Sequence, residues 1–178
     1  DPVPERKAAA MAFAMQQLWV TDTDRIGNAS GAGRGAQLHG VRFTTWGNGV
    51  QWENTGSAAM AMRHYQQNYA AAGAIEGLDD RIRAARDSIK HLLAVYRAVP
   101  ASALGGNFAA YVQNNHSSPY PGGSDTGIGW TYMRYPHAAS TAWAGLLLLY
   151  QFDEDDEVRE DANPYAPPAT AVPDPHGP

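Results

Sequence analysis

The sequence predicts an all-α fold of antiparallel helical hairpins, on three observations. Four segments place apolar residues at helical spacing. They alternate between helices with one charged face and helices almost without charge. Each uncharged helix follows a long stretch rich in glycine, asparagine and aromatic residues, which reads as loop.

The first helix is expected over 4–20. Pro4 suits a first turn, where a missing N–H breaks no helical bond. Met11, Met15, Leu18 and Trp19 then share one apolar face. Residues 21–49 read as loop with one short strand over 41–45. The second helix is expected over 50–72, with Asn48 as its cap. The third is expected over 78–99, where Leu78, Ile82, Ala85, Ile89, Leu92, Leu93 and Tyr96 form the buried stripe. Arg81, Arg83, Arg86, Asp87 and Lys90 form its solvated face, and Pro100 ends it. Residues 101–135 are a second irregular stretch, with a helical turn or strand near 108–112, and a fourth helix follows over 136–150. The acidic run 153–161 reads as a solvated face or a fraying helix end. Residues 163–178 hold six prolines and are expected to run extended, so the chain divides into a helical domain over 1–162 and a tail over 163–178.

The charge pattern assigns the helices to layers. Arg63 is the single charged residue between 54 and 72, where Gly56, Ser57, Ala58, Ala59 and Ala61 crowd together. Residues 138–150 have no charge. A helix apolar all round is buried on all sides, and small residues let neighbouring backbones approach, so the second and fourth helices are expected to be inner.

Composition sets limits on function. The 178 residues fit one ordinary domain, with 44% hydrophobic and 17% charged residues against a usual charged share of about 25%. A net charge of −5 argues against a broad electrostatic grip on nucleic acid. The absence of cysteine excludes disulfides, thiolate metal sites and cysteine nucleophiles. The chain opens Asp1-Pro2-Val3-Pro4 without an initiator Met, which suggests a processed or excised product; an extracellular or periplasmic location is expected. No secretory leader is visible. The longest uncharged apolar run, 138–152, is shorter than the about 20 residues that span a bilayer.

The chemistry-bearing residues gather where the two long loops meet the inner helices. The first loop ends Phe43-Thr-Thr-Trp46-Gly-Asn-Gly-Val-Gln51-Trp52-Glu53-Asn-Thr55, and the second ends Asp125-Thr-Gly-Ile-Gly-Trp130-Thr-Tyr132-Met-Arg134-Tyr135-Pro-His137. If the inner helices run parallel side by side, these loops converge. Trp and Tyr beside a few carboxylates is the chemistry of a sugar site: ring faces stack on pyranoses, and Asp or Glu moves protons. Glu53 reads as a general acid or base, or as a first-turn carboxylate that complements the helix dipole. Asp125 reads as a second catalytic carboxylate or as a turn residue. Trp46, Trp52, Trp130, Tyr132 and Tyr135 read as a stacking platform or as packing aromatics. Arg134 and His137 read as ligands for hydroxyls or a carboxylate, or as groups that cap the loop–helix junction. The remaining histidines show no metal-ligand spacing, Gly31-Ala-Gly33-Arg-Gly35 lacks the Lys-Ser/Thr of a phosphate loop, and no cofactor or metal is expected.

Two segments resemble bacterial six-hairpin (α/α)-toroid proteins of the glycosidase-like superfamily. Val50-Gln-Trp-Glu53-Asn-Thr55-Gly-Ser-Ala-Ala-Met60-Ala-Met62 is similar to their inner-helix pattern W-x-E-G-T-A-Q-x-A-x-A. Thr126-Gly-Ile-Gly129-Trp130-Thr-Tyr132-Met-Arg-Tyr135-Pro-His137-Ala-Ala-Ser-Thr141-Ala-Trp143, followed by Asn163-Pro-Tyr165, is similar to their closing segment. The resemblance covers about 40–166. It implies a toroid whose inner-helix N-termini line a carbohydrate cleft, with Glu53 and His137 at the motif Glu and His. The chain departs from the pattern at the adjacent Trp52-Glu53 pair, at Asn54 where Gly is common, and at Arg134 where Pro is common. Twelve helices of about 12 residues plus loops exceed 300 residues, so four helices match only the closing third, and a partner chain or symmetry copies are expected to complete it.

Two functions are therefore expected. The first is acid–base action on a polysaccharide, or its binding, with Glu53 as acid, Asp125 or a carboxylate of another chain as base, and Trp46, Trp52, Trp130, Tyr132, Arg134 and His137 holding sugar. The second is a non-catalytic structural or assembly subunit that packs through its apolar inner helices and proline-rich tail.

Overall fold

A computed structural model describes residues 3–25, 27–69, 74–103 and 123–151. The acidic run, the proline-rich tail and the segment near 108–112 lie outside the described residues.

The first helix, α1 (Pro4–Phe13), opens at Pro4 but ends early. It passes into a π-helical turn (Ala14–Leu18), and the chain then straightens into β1 (Trp19–Thr23). β1 pairs antiparallel with β2 (Gln37–Val41), Trp19 facing Val41 and Thr23 facing Gln37. The short strand expected at 41–45 thus lies four residues earlier, and its partner is the end of the expected first helix. Val20, Thr21 and Thr23 are β-branched, and such side chains favour a pleated surface over a helix.

Helix α2 (Trp52–Tyr69) begins just after Gln51, whose Oε1 accepts the Asn54 N–H at 2.6 Å. Gln51, not Asn48, is therefore the cap. Helix α3 (Leu78–Tyr96) keeps its expected stripe: Leu78, Ile82, Ala85, Ile89 and Leu92 are buried. Arg86 leaves the expected solvated face; it is 9% exposed, with its guanidinium folded onto the Asp87 carboxylate at 2.8 Å. Arg97, in left-handed backbone geometry (φ 56°), terminates the helix three residues ahead of Pro100. A second two-stranded sheet pairs β3 (Gly123–Asp125) with β4 (Thr131–Met133), and α4 (Ala138–Gln151) follows.

Two antiparallel sheets beside four helices make the described chain mixed α/β, which corrects the all-α expectation; the helices do not close into a toroid. Both sheets form where the sequence reads as loop or as helix end. Strands of three to five residues carry too little alternation to signal themselves.

The core surrounds α2, which α1, α3, α4 and β2 all touch. Trp52, Ala59, Met60 and Met62 meet Leu38 of β2, Ile82, Ile89 and Leu92 of α3, and Ala144 and Leu147 of α4 in one cluster. At Gly56 the two inner helices touch: a Cβ there would sit 2.9 Å from the Trp143 Cβ. α4 differs from the expectation of burial on all sides, since Ala138, Thr141, Ala142 and Leu149 face solvent.

An extended run over 99–103 ties the starts of α2 and α4 together. Ala103 N–H donates to Val50 O at 2.8 Å and Trp52 N–H to Ala101 O at 3.2 Å. On the other edge, Ala101 N–H donates to Tyr135 O at 2.9 Å and His137 N–H to Val99 O at 3.2 Å. These bonds satisfy backbone groups that the buried chain would otherwise strand, and they fix both helix N-termini at one end of the molecule.

Candidate functional site

At that end the two loops meet. Asn48 clasps the second loop: its N–H donates to Asp125 O at 3.0 Å, and its Oδ1 accepts the Asp125 N–H at 2.8 Å. Thr44 Oγ1 donates to Thr126 O at 2.5 Å. Gly127, at φ 79°, makes this possible, because a Cβ there would lie 2.6 Å from Gly47 N, Thr44 Oγ1 and the Trp46 carbonyl carbon.

The clasp turns a group of rings outward. Trp130 and Tyr132 lie 5.0 Å apart between ring centres, and Phe43 packs against both at 5.2 and 5.7 Å. Trp130 is 45% exposed and Trp46, on the first loop, 85% exposed. Ile128 and Tyr135 are also exposed. Phe43 is not among the expected sugar-holding residues; its place at the head of the first aromatic loop is the signal that marks it.

Glu53 joins this group. It stands in the first turn of α2, half-buried, and accepts a hydrogen bond from the Tyr132 hydroxyl at 3.2 Å. Burial, and then the charge of Glu53, hold the Tyr132 phenol above its ordinary range. Tyr132 therefore stays a donor at neutral pH. His137 sets its ring edge-on to Tyr132 at 6.3 Å, with Nδ1 buried.

The other expected site residues lie elsewhere or have other work. Trp52 has no exposed surface and belongs to the core, so its ring is not open to stack on a sugar. Asp125 Oδ1 accepts the Gly127 N–H at 2.9 Å, a turn-forming bond that engages it in the loop. Arg134 points away from the rings: its Nη2 lies 3.0 and 2.9 Å from the two oxygens of Asp24, and its guanidinium stacks on Tyr96, 4.6 Å from the ring centre. The Tyr96 hydroxyl bridges Asp24 and Arg134. Burial and Asp24 raise the Tyr96 phenol, against the pull of Arg134.

Two buried carboxylates are invisible as such in the sequence, because Thr21-Asp-Thr-Asp24 looks like ordinary polar loop. Asp24 is the partner of Arg134 just described. Asp22 accepts the Thr23 N–H at 2.8 Å and the Val50 N–H at 3.2 Å, joining β1 to the start of α2. Burial outweighs these bonds and raises its pKa to about 6.

Among the described residues, no three His, Asp or Glu side chains gather as a metal site, and no helix is long and apolar enough to cross a membrane. No protein-family model, curated protein or solved structure matches the chain.

Proposed function

We propose that the chain binds polysaccharide at the face formed by Trp46, Trp130, Tyr132 and Phe43, with Glu53 as the carboxylate that meets the bound sugar. The supporting observation is the juxtaposition of the exposed Trp130 ring with Tyr132, whose hydroxyl bonds Glu53. Aromatic faces take the apolar side of a pyranose, and a carboxylate takes its hydroxyls as donors. Acid–base cleavage of a glycosidic bond would start from Glu53 and needs a second carboxylate about 5–10 Å away. Asp125 is engaged with Gly127, so binding is the part this face performs with its own residues.

A glycan panel probed with the wild type, Trp130→Ala and Glu53→Gln tests the reading. Wild-type binding that both substitutions weaken is the expected result. Binding that survives Trp130→Ala unchanged would remove the aromatic face from the function.

A second reading, assembly with another chain, is favoured by α4. This helix has no charged residue, yet Leu149 is 70% exposed on it.

A further inference from the structure

Resting on the carbohydrate reading, we propose that the aromatic face selects uncharged glycans and rejects uronate- and sulfate-bearing ones, and that Glu53 sets this choice.

The sequence around the face is the first support. Neither 43–55 nor 123–133 contains a single Lys or Arg. These two stretches supply Phe43, Trp46, Glu53, Trp130 and Tyr132, and all of β3 and β4. A site for acidic sugars is ordinarily furnished with arginine forks or lysines, whose charge and paired donors match a carboxylate or sulfate.

The flanking arginines are the second support. Arg42 precedes the first stretch and Arg134 follows the second, so both are close to the face along the chain. Both are already engaged by acceptors of the fold. Arg42 donates from Nε and Nη2 to Gln17 O at 3.1 and 2.6 Å, and from Nη1 to Gly47 O at 3.4 Å. Arg134 is locked between Asp24 and the Tyr96 ring. Drawing it out would take the cation from the buried Asp24 carboxylate, which is costly.

The third support is the charge that is present. Glu53, beside Tyr132, is tied to the rings by its hydrogen bond, and Tyr132 remains neutral and donating. A neutral pyranose laid on Trp130 meets ring faces and an acceptor for its hydroxyls. A uronate laid the same way brings a second carboxylate against Glu53. The net charge of −5 adds a weaker, longer-range repulsion that salt screens.

Tryptophan fluorescence titration of the full chain at neutral pH tests this. Matched oligosaccharides of glucose and glucuronate, mannose and mannuronate, and galactose and galacturonate serve as probes, at low and high salt. The expected result is that the tightest ligand is neutral and its uronate counterpart binds about tenfold or more weakly at low salt, as one like-charge contact near a surface dictates. The gap should narrow at high salt and in Glu53→Gln. A uronate that binds as tightly as its neutral counterpart overturns the inference while leaving the carbohydrate reading standing. A gap that closes with salt but persists in Glu53→Gln overturns the assignment to Glu53. Binding by neither class overturns the carbohydrate reading, and the inference falls with it.

Discussion

Asp22 shows how a residue that looks unremarkable in sequence becomes consequential by burial. Its pKa of about 6 in the fold lies above the ordinary 3.8, so the folded state holds a proton that the unfolded chain releases. Its share of stability is therefore full at low pH and is lost as pH rises from about 4 through 6. The shift corresponds to about 3 kcal/mol over that window. Carboxyl-resolved NMR should find Asp22 titrating near 6, and a midpoint near 4 would show that its two backbone bonds dominate instead. Arg134 carries the opposite lesson. Removing it as Arg134→Ala takes the cation from Asp24, whose side chain is 1% exposed, and should cost about 3–5 kcal/mol in urea unfolding. A loss under about 1 kcal/mol would place the pair in solvent. Neither role is legible in the sequence. It shows that Arg134 adjoins the aromatic loop, but not which way its side chain turns. It likewise shows Trp52 beside Glu53, but not that helical rotation sends one into the core and leaves the other half-exposed.

Among the elements, α2, α3 and α4 are legible within a few residues, because each holds its apolar pattern over fourteen or more residues. Apolar spacing overstates the first helix, since Leu18 and Trp19 continue it into β1. The strands escape notice because they are short and lie in segments rich in glycine and polar residues. Convergence of the two loops follows in sequence only if the inner helices run parallel, and the bonds that clasp the loops are not readable there. Glycines test this layer well. Gly56→Val forces α2 from α4 at Trp143 and should destabilise by about 1–3 kcal/mol. A Cβ added at Gly145, in α4, would meet no atom within 4 Å, so Gly145→Ala should stabilise by about 0.5–1 kcal/mol. Equal effects at the two positions, read by denaturant unfolding, would contradict the close contact at Gly56.

At the scale of the whole molecule, the arrangement places one hydrogen-bonded junction at the end where α2 and α4 begin. The 99–103 run and the Asn48 clasp hold both helix starts there, and the exposed rings are carried on that junction. The low charge of the sequence divides between a buried use, around α2, and an exposed one, along α4. If α4 serves assembly, light scattering should give a mass above that of one chain, and Leu149→Glu should lower it to one; a monomeric wild type would remove the assembly reading. The carbohydrate reading is tested most directly by following the five tryptophan indole N–H signals in NMR during titration with a neutral oligosaccharide. Trp46 and Trp130 should shift while Trp19, Trp52 and Trp143 hold still. Signals that all stay fixed, or a response at the buried Trp52 without one at Trp130, would contradict a sugar-binding face at this end of the fold.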